Sequence, residues 1–247
     1  MLYFYFFVIS FSIVGYGFLL TKSLNIHTRS FGFLGLFGIS LLIFISYLSS
    51  LFLVHDFLFN SFILFIGLIS FIFFFFKLGN FKKELILHIS IFSILIIFIL
   101  VGKNHDDFPY YHYPYSHFLT QYSHPLGFGQ LNNGFRNPSS LFFLNSLFYL
   151  PKISFYLFHV APAYFLGFSN LILIEIIFGK KIYNSHKFIN FLSILSLIFI
   201  NIFFYRLAEH GTDRSGQILV FILTIIILLI TNNSKSVNKI NNTFYIY

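Results

Sequence analysis

Seven ionisable side chains crowd one stretch of a sequence that is only 9% charged: His105, Asp106, Asp107, His112, His117, His124 and Arg136 fall within 32 residues. They lie in a connection from Lys103 to Pro151 that reads KNHDDFPYYHYPYSHFLTQYSHPLGFGQLNNGFRNPSSLFFLNSLFYLP. Connections longer than ~12–15 residues usually carry function. A carboxylate of the Asp106–Asp107 pair, held at an apolar boundary, loses hydration and takes up a proton more readily. It can then act as general base towards an attacking hydroxyl. The same pair would equally serve as solvated carboxylates at the end of a helix. His105, Asp106, Asp107 and His112 offer nitrogen and oxygen ligands to a divalent ion. Their spacing matches neither His-Glu-x-x-His nor a regular i, i+4 pair, so no metal and no other cofactor is expected. Arg136 sits in the Asn-, Gly- and Pro-rich run Gln130–Pro138. Its planar guanidinium suits a phosphate, either that of a bound lipid or that of the surrounding headgroups.

A second polar cluster follows near the C-terminal end, where Arg206, Glu209, Asp213 and Arg214 fall within nine residues. Two readings stand side by side. Both clusters could close over one cavity. Alternatively, Glu209 and Asp213 form a salt-bridged turn with the flanking arginines and do no chemistry.

The rest of the chain must position these groups, and its composition says how. The 247 residues are 57% hydrophobic and 9% charged, with a mean hydropathy of +0.85, whereas a soluble domain carries about 25% charged residues. Windows without Asp, Glu, Lys or Arg cover 1–21, 30–55, 57–76, 85–102, 153–174, 188–205 and 215–234. Each approaches the ~20 residues with which a helix crosses the hydrocarbon. The expected fold is an all-α polytopic bundle forming one transmembrane domain over 1–247. Its spans are expected near 2–20, 31–54, 57–76, 85–102, 153–178, 188–205 and 215–231, with an external loop over 103–151.

Charge orients the bundle. One set of connections, with the tail, holds ten Lys/Arg (Lys22, Arg29, Lys77, Lys82, Lys83, Lys180, Lys181, Lys187, Lys235 and Lys239), and the alternate set holds five. Short basic loops stay cytoplasmic, so the N-terminus and the Asp106–Asp107 loop are expected outside. Segment 137–151, bounded by Pro138 and Pro151, is too short to span. It reads as an interfacial or re-entrant helix capped near Ser139–Ser140. His88 and His159 read as interhelical hydrogen-bonders, and Glu175 as a snorkelling group.

Further bounds are quickly drawn. Without cysteine, disulfides, thiolate metal sites and cysteine nucleophiles are excluded. Met1–Leu20 has no basic leader, so a retained span is expected rather than a signal peptide. The basic residues form no single patch, so the formal charge of +8 points to topology and not to nucleic acid. Phe244–Tyr247 read as the opening of another apolar segment, as in a truncated product. The sequence fixes no oligomeric state.

An acidic pair in a large external loop at the end of a span, followed by Tyr, His and Pro, resembles the GT-C superfamily of integral-membrane glycosyltransferases. More narrowly, Asp107-Phe108-Pro109-Tyr110-Tyr111-His112-Tyr113-Pro114 is similar to an Asp-x-x-x-Tyr-His-x-Pro element in a group of bacterial membrane proteins. Gly127–Arg136 and Ser139-Ser140-Leu141-Phe142 would be the Gly/Asn/Arg-rich stretch and Ser-Ser-x-Phe that follow it there. The resemblance implies a bacterial inner-membrane enzyme taking a sugar from a polyprenyl-phosphate-linked donor. Asp107, with Asp106, would be catalytic; Tyr111, His112, Arg136, Arg214 and Glu209 would contact substrate. Many superfamily members place the acidic loop after the first span and not, as here, after the fourth. A ligase or polymerase of the same pathway, using Arg and His of the external loop, and a transporter or non-catalytic subunit are the other readings.

Overall fold

The computed structural model describes residues 1–77, 79, 81–100, 106–179, 187–203 and 213–234. Among them the chain is helical and contains no β-strand. The order is α1 (Leu2–Ser23), α2 (Phe31–Ser50), α3 (Phe57–Lys77), α4 (Lys82–Leu95), α5 (Ile97–Leu100), α6 (Tyr113–Leu119), α7 (Ser140–Ser146), α8 (Ala161–Phe178), α9 (Lys187–Phe203) and α10 (Asp213–Ser234). Among the described residues five helices are long and apolar enough to cross a membrane: α1, α2, α3, α8 and the Arg214–Thr231 part of α10. The apolar helix α9 is shorter, with 17 residues.

The central helix is α8, 78% of whose apolar window is buried against the rest of the chain, compared with 22% for α3 and α10. Outward-facing Phe62, Phe65, Ile69, Ile72, Phe73 and Phe76 on α3 are exposed. A water-facing helix would not show such a wall, and a bilayer covers it. This is a helical membrane protein.

Lipid tails are as apolar as leucine, so close helix contact depends on small residues and interhelical hydrogen bonds. Both are present. Gly15 of α1 abuts the Gly67 carbonyl of α3, and Gly17 abuts the Leu34 carbonyl of α2. Gly38 of α2 packs on the Ile13 carbonyl, while Gly32 and Gly35 on the same helix receive Ile172 and Phe168 of α8. Buried hydroxyls tie the helices further: Tyr16 donates to the Ile63 carbonyl at 2.7 Å and Tyr164 to the Phe6 carbonyl at 3.1 Å. His88 does meet a hydroxyl, with Nε2 2.9 Å from Ser10 Oγ.

Asn170 of α8 and Asn201 of α9 exchange amide hydrogen bonds of 3.0 and 2.9 Å. Replacing either by leucine is expected to weaken the α8–α9 contact by about 1 kcal/mol. The double replacement should cost less than the sum, as a double-mutant cycle of unfolding in detergent would show.

Several expected boundaries move. The span placed at 153–178 begins at Ala161, because Pro162 occupies the first turn, where its missing N–H and fixed φ suit a helix start. Residues 151–159 form turns, with Lys152 and Ser154 at positive φ, so His159 precedes the span and does not lie within it. The segment placed at 85–102 is broken between α4 and α5, with no proline or glycine marking the break. Helix α2 ends at Ser50 rather than near 54. The short helix expected within 137–151 is α7, capped by Ser139. At seven residues it is about 10 Å long and cannot cross the hydrocarbon.

Candidate functional site

The polar stretch after the fourth apolar segment folds into a cap. Asp106 and Asp107 open it in a turn. Phe108–His112 then form one π-helical turn, and α6 continues directly from it. Pro109 stands in the first turn of this run, where a missing N–H costs little, and Pro114 stands where the π-helical turn passes into α6. The turn brings Tyr111 back over its start, so that its hydroxyl donates to Asp107 Oδ2 at 2.9 Å.

The Gly/Asn/Arg-rich stretch packs against this turn. Asn132 Nδ2 donates to the Tyr110 carbonyl at 3.0 Å, and its Oδ1 accepts from the Gly134 N–H at 2.8 Å. Gly134 lies flat on Tyr111; a Cβ there would stand 2.7 Å from the ring. Beneath them Tyr115, Leu119, Phe135, Phe142 and Phe143 form a second hydrophobic cluster, separate from the transmembrane core.

The cap is tied to the α2–α3 connection by a buried polar network. His55 is fully buried, with Nδ1 2.7 Å from Ser146 Oγ and Nε2 2.9 Å from Ser49 Oγ. Ser146 spends its hydroxyl proton on the Phe143 carbonyl. His55 therefore carries its own proton on Nδ1 and accepts from Ser49 at Nε2. The Asn60 amide nitrogen lies 2.8–2.9 Å from the carbonyls of His55, Ser146 and Tyr149. Two backbone bonds close the joint, from His55 N–H to the Leu119 carbonyl and from His124 N–H to the Ser50 carbonyl.

Burial pushes the His55 imidazole down from 6.5 to about 4 and does the same to His159. A released cap would bind protons between pH 6.5 and 4 that the docked one excludes, so docking strengthens as pH rises through this window. Stability is fully present above about pH 6.5 and is lost progressively down to about pH 4. Hydrogen exchange over 113–150 should therefore accelerate between pH 7 and 4 beyond the intrinsic rate change, and His55→Gln should flatten the dependence, leaving the part due to His117 and His159.

The residues singled out in the sequence are brought together only in part. Asp107, Tyr111 and His112 form one group, with His112 buried against Phe142 at 5.1 Å between ring centroids. Asp106 is exposed and Asp107 half-buried. His117 stacks on Tyr113 at 5.4 Å, and burial lowers its pKa. Arg136 is exposed beside Gly129. Among the described residues no three His, Cys, Asp or Glu gather as a metal site. His105 and Glu209 lie outside the described residues.

The expected closing of both polar connections over one cavity rests on residues 204–212, which lie outside the described residues. A cleft of about 630 Å³ opens between the start of α7, the second turn of α8 and the first turns of α10. Ser139 and Ser140 form one wall and Ser215, Gly216 and Gln217 the other, with Phe165 among the apolar lining. Arg214 belongs to the same first turn of α10. Charge guided the sequence reading, and this cleft is built mostly from neutral residues. The Ser139–Ser140 cap was its one visible sign.

No family model, curated protein or solved structure matches the chain.

Proposed function

We propose that the chain is a seven-span protein of the bacterial inner membrane with its N-terminus outside, and that it transfers a sugar from a polyprenyl-phosphate-linked donor to an envelope polysaccharide or glycolipid acceptor. One observation carries the reading: Asp107 is half-buried and held by the Tyr111 hydroxyl at 2.9 Å, in a folded cap that has its own aromatic core. A plain solvated turn needs no such support. The alternation of basic and acidic connections supports the orientation, and the five long apolar helices together with α9 and the broken α4–α5 segment provide the material for seven crossings.

In the proposed reaction Asp107 accepts the proton of an acceptor hydroxyl as its oxygen bonds to the anomeric carbon of the donor sugar. The bond from that carbon to the phosphate oxygen breaks, and the lipid phosphate leaves with the electron pair. A cation such as Arg136 or Arg214 stabilises the developing charge. The test is donor turnover in proteoliposomes, followed as release of polyprenyl phosphate from a panel of polyprenyl-phosphate-linked sugars. Wild-type protein should release it and Asp107→Asn should not, at equal insertion. Turnover by that variant at the wild-type rate would overturn the assignment.

A further inference from the structure

The cap is seated beside one of the membrane helices and not above it. Helix α2 has 20 residues, so it is about 30 Å long and just crosses the hydrocarbon. The charges that bracket it are Arg29, before its start, and Asp56, beyond its end, so its last turn lies at a boundary. The cap helix α7 meets α2 inside that boundary. Ser46 donates to the Phe143 carbonyl at 2.6 Å, and the Tyr47 ring stacks on that of Phe143 with centroids 3.9 Å apart. Ser46 precedes the helix end at Ser50 by one turn, about 6 Å along the axis. Part of the cap therefore lies at the depth of the hydrocarbon.

What the cap exposes there is apolar. The loop after α6 is fastened to the end of α2: the His124 N–H donates to the Ser50 carbonyl at 2.8 Å, and the His124 ring lies 6.3 Å from that of Phe52. Tyr122 and Leu126 stand on either side of His124 and are exposed, Leu126 by 78%. Phe52, 74% exposed, and Leu53 adjoin them. Nor does charge accompany these side chains. Between Asp107 and Arg136 the chain has no Asp, Glu, Lys or Arg, where a water-facing stretch would carry about one in four. The patch also continues the lipid-facing side of α2, on which Phe44 and Leu48 are exposed and Phe52 follows at the same four-residue spacing. A contiguous apolar surface of this kind marks an interaction site, and its continuity with α2 identifies the occupant as lipid. We propose that the surface formed by Phe52, Leu53, Tyr122 and Leu126 is immersed in the lipid leaflet on the cap's side of the membrane. Tyrosine suits that depth, with an apolar ring and a hydroxyl that reaches the headgroups. The exposed Gln130, Asn133 and Arg136 mark the part of the cap that stays in water. The proposal holds whether or not Asp107 serves in glycosyl transfer.

The chain contains no tryptophan, so a single one introduced at an exposed position reports from that position alone. The test compares Leu126→Trp and Phe52→Trp with Gln130→Trp as the water-facing control. Each full chain is reconstituted in phosphatidylcholine vesicles, with and without phosphatidylcholine brominated in its acyl chains, and is titrated with acrylamide. All three side chains are exposed, so the variants should melt with wild type. Leu126→Trp and Phe52→Trp should emit to the blue of Gln130→Trp. They should lose severalfold more of their emission to the brominated lipid and severalfold less to acrylamide. Leu126→Trp quenched by acrylamide as strongly as Gln130→Trp, and untouched by brominated lipid, would overturn the proposal even if Phe52→Trp were lipid-quenched, because the cap loop would then lie in water. Protection of Leu126→Trp from both quenchers would mean that protein, a second copy or another chain, covers the patch, and would overturn the lipid assignment. Equal quenching by brominated lipid at all three positions would overturn the restriction of contact to this surface.

Discussion

Gly38→Val should leave no folded bundle. The Cβ of any residue at 38 would fall on the Ile13 carbonyl oxygen of α1, so α1 and α2 must separate along their length. They cannot do so locally, since Gly17 abuts Leu34 in the same α1–α2 contact and Gly15 abuts Gly67 of α3 on the other side of α1. A shift of α1 also disturbs its bond to α3, from Tyr16 to the Ile63 carbonyl at 2.7 Å. The cost combines backbone overlap, lost van der Waals contact and a buried hydroxyl left unpaired, and should exceed about 4 kcal/mol, the exceptional end of single substitutions. Gly216→Ala is the control, because that glycine meets nothing within 4 Å. It should be neutral or gain up to about 1 kcal/mol from helix propensity. Monodispersity in detergent and unfolding midpoints would check both. A monodisperse Gly38→Val protein melting with wild type would show that the helices do not pack through these glycines.

How much of this was legible in the sequence depends on the kind of signal each element leaves. Membrane residence was plain, because burying charge in hydrocarbon is costly and its absence over long windows is easily counted. The start of α8 was also written in the sequence: Pro162 marks it, and a reading based only on charge passes over it. The break between α4 and α5 leaves no such mark, since Lys82–Leu100 contains no proline or glycine. The cap shows a third case. Ser139 announced α7, and the crowding of Asp, His and Tyr announced something built, but the joint holding it pairs His55 with Ser146, 91 residues away. Neither residue has a local pattern to betray a contact that tertiary packing creates. The cleft was hidden for a related reason. Its walls are serine, glycine and glutamine beside apolar side chains, none of them charged.

Asp107→Asn is expected to reduce donor turnover by about 10²–10⁴-fold, the usual contribution of a positioned general base. Asparagine keeps the volume and can still meet the Tyr111 hydroxyl, now 2.9 Å from Oδ2, so the π-helical turn should survive and the loss should lie in the chemical step. Three neighbours make the assignment specific. Asp106 is exposed and is not the carboxylate that Tyr111 holds, so Asp106→Asn should change turnover little. Tyr111→Phe removes the hydroxyl that orients Asp107 and leaves the ring on Gly134. It should lower the rate by roughly tenfold, as expected for one hydrogen bond to a charged group, and less than loss of the carboxylate itself. Arg136→Ala tests the competing chemistry of the loop. If the cap worked as a ligase or polymerase through its basic residues, this variant would be inactive and the Asp106/Asp107 double variant fully active. Initial rates at equal protein content in proteoliposomes, with hydrogen exchange over 106–150 to verify the fold, decide between them. A graded loss in the order Asp107→Asn, Tyr111→Phe, Asp106→Asn fits a base held by one hydroxyl. A loss confined to Arg136→Ala would transfer the chemistry from the carboxylate to the guanidinium.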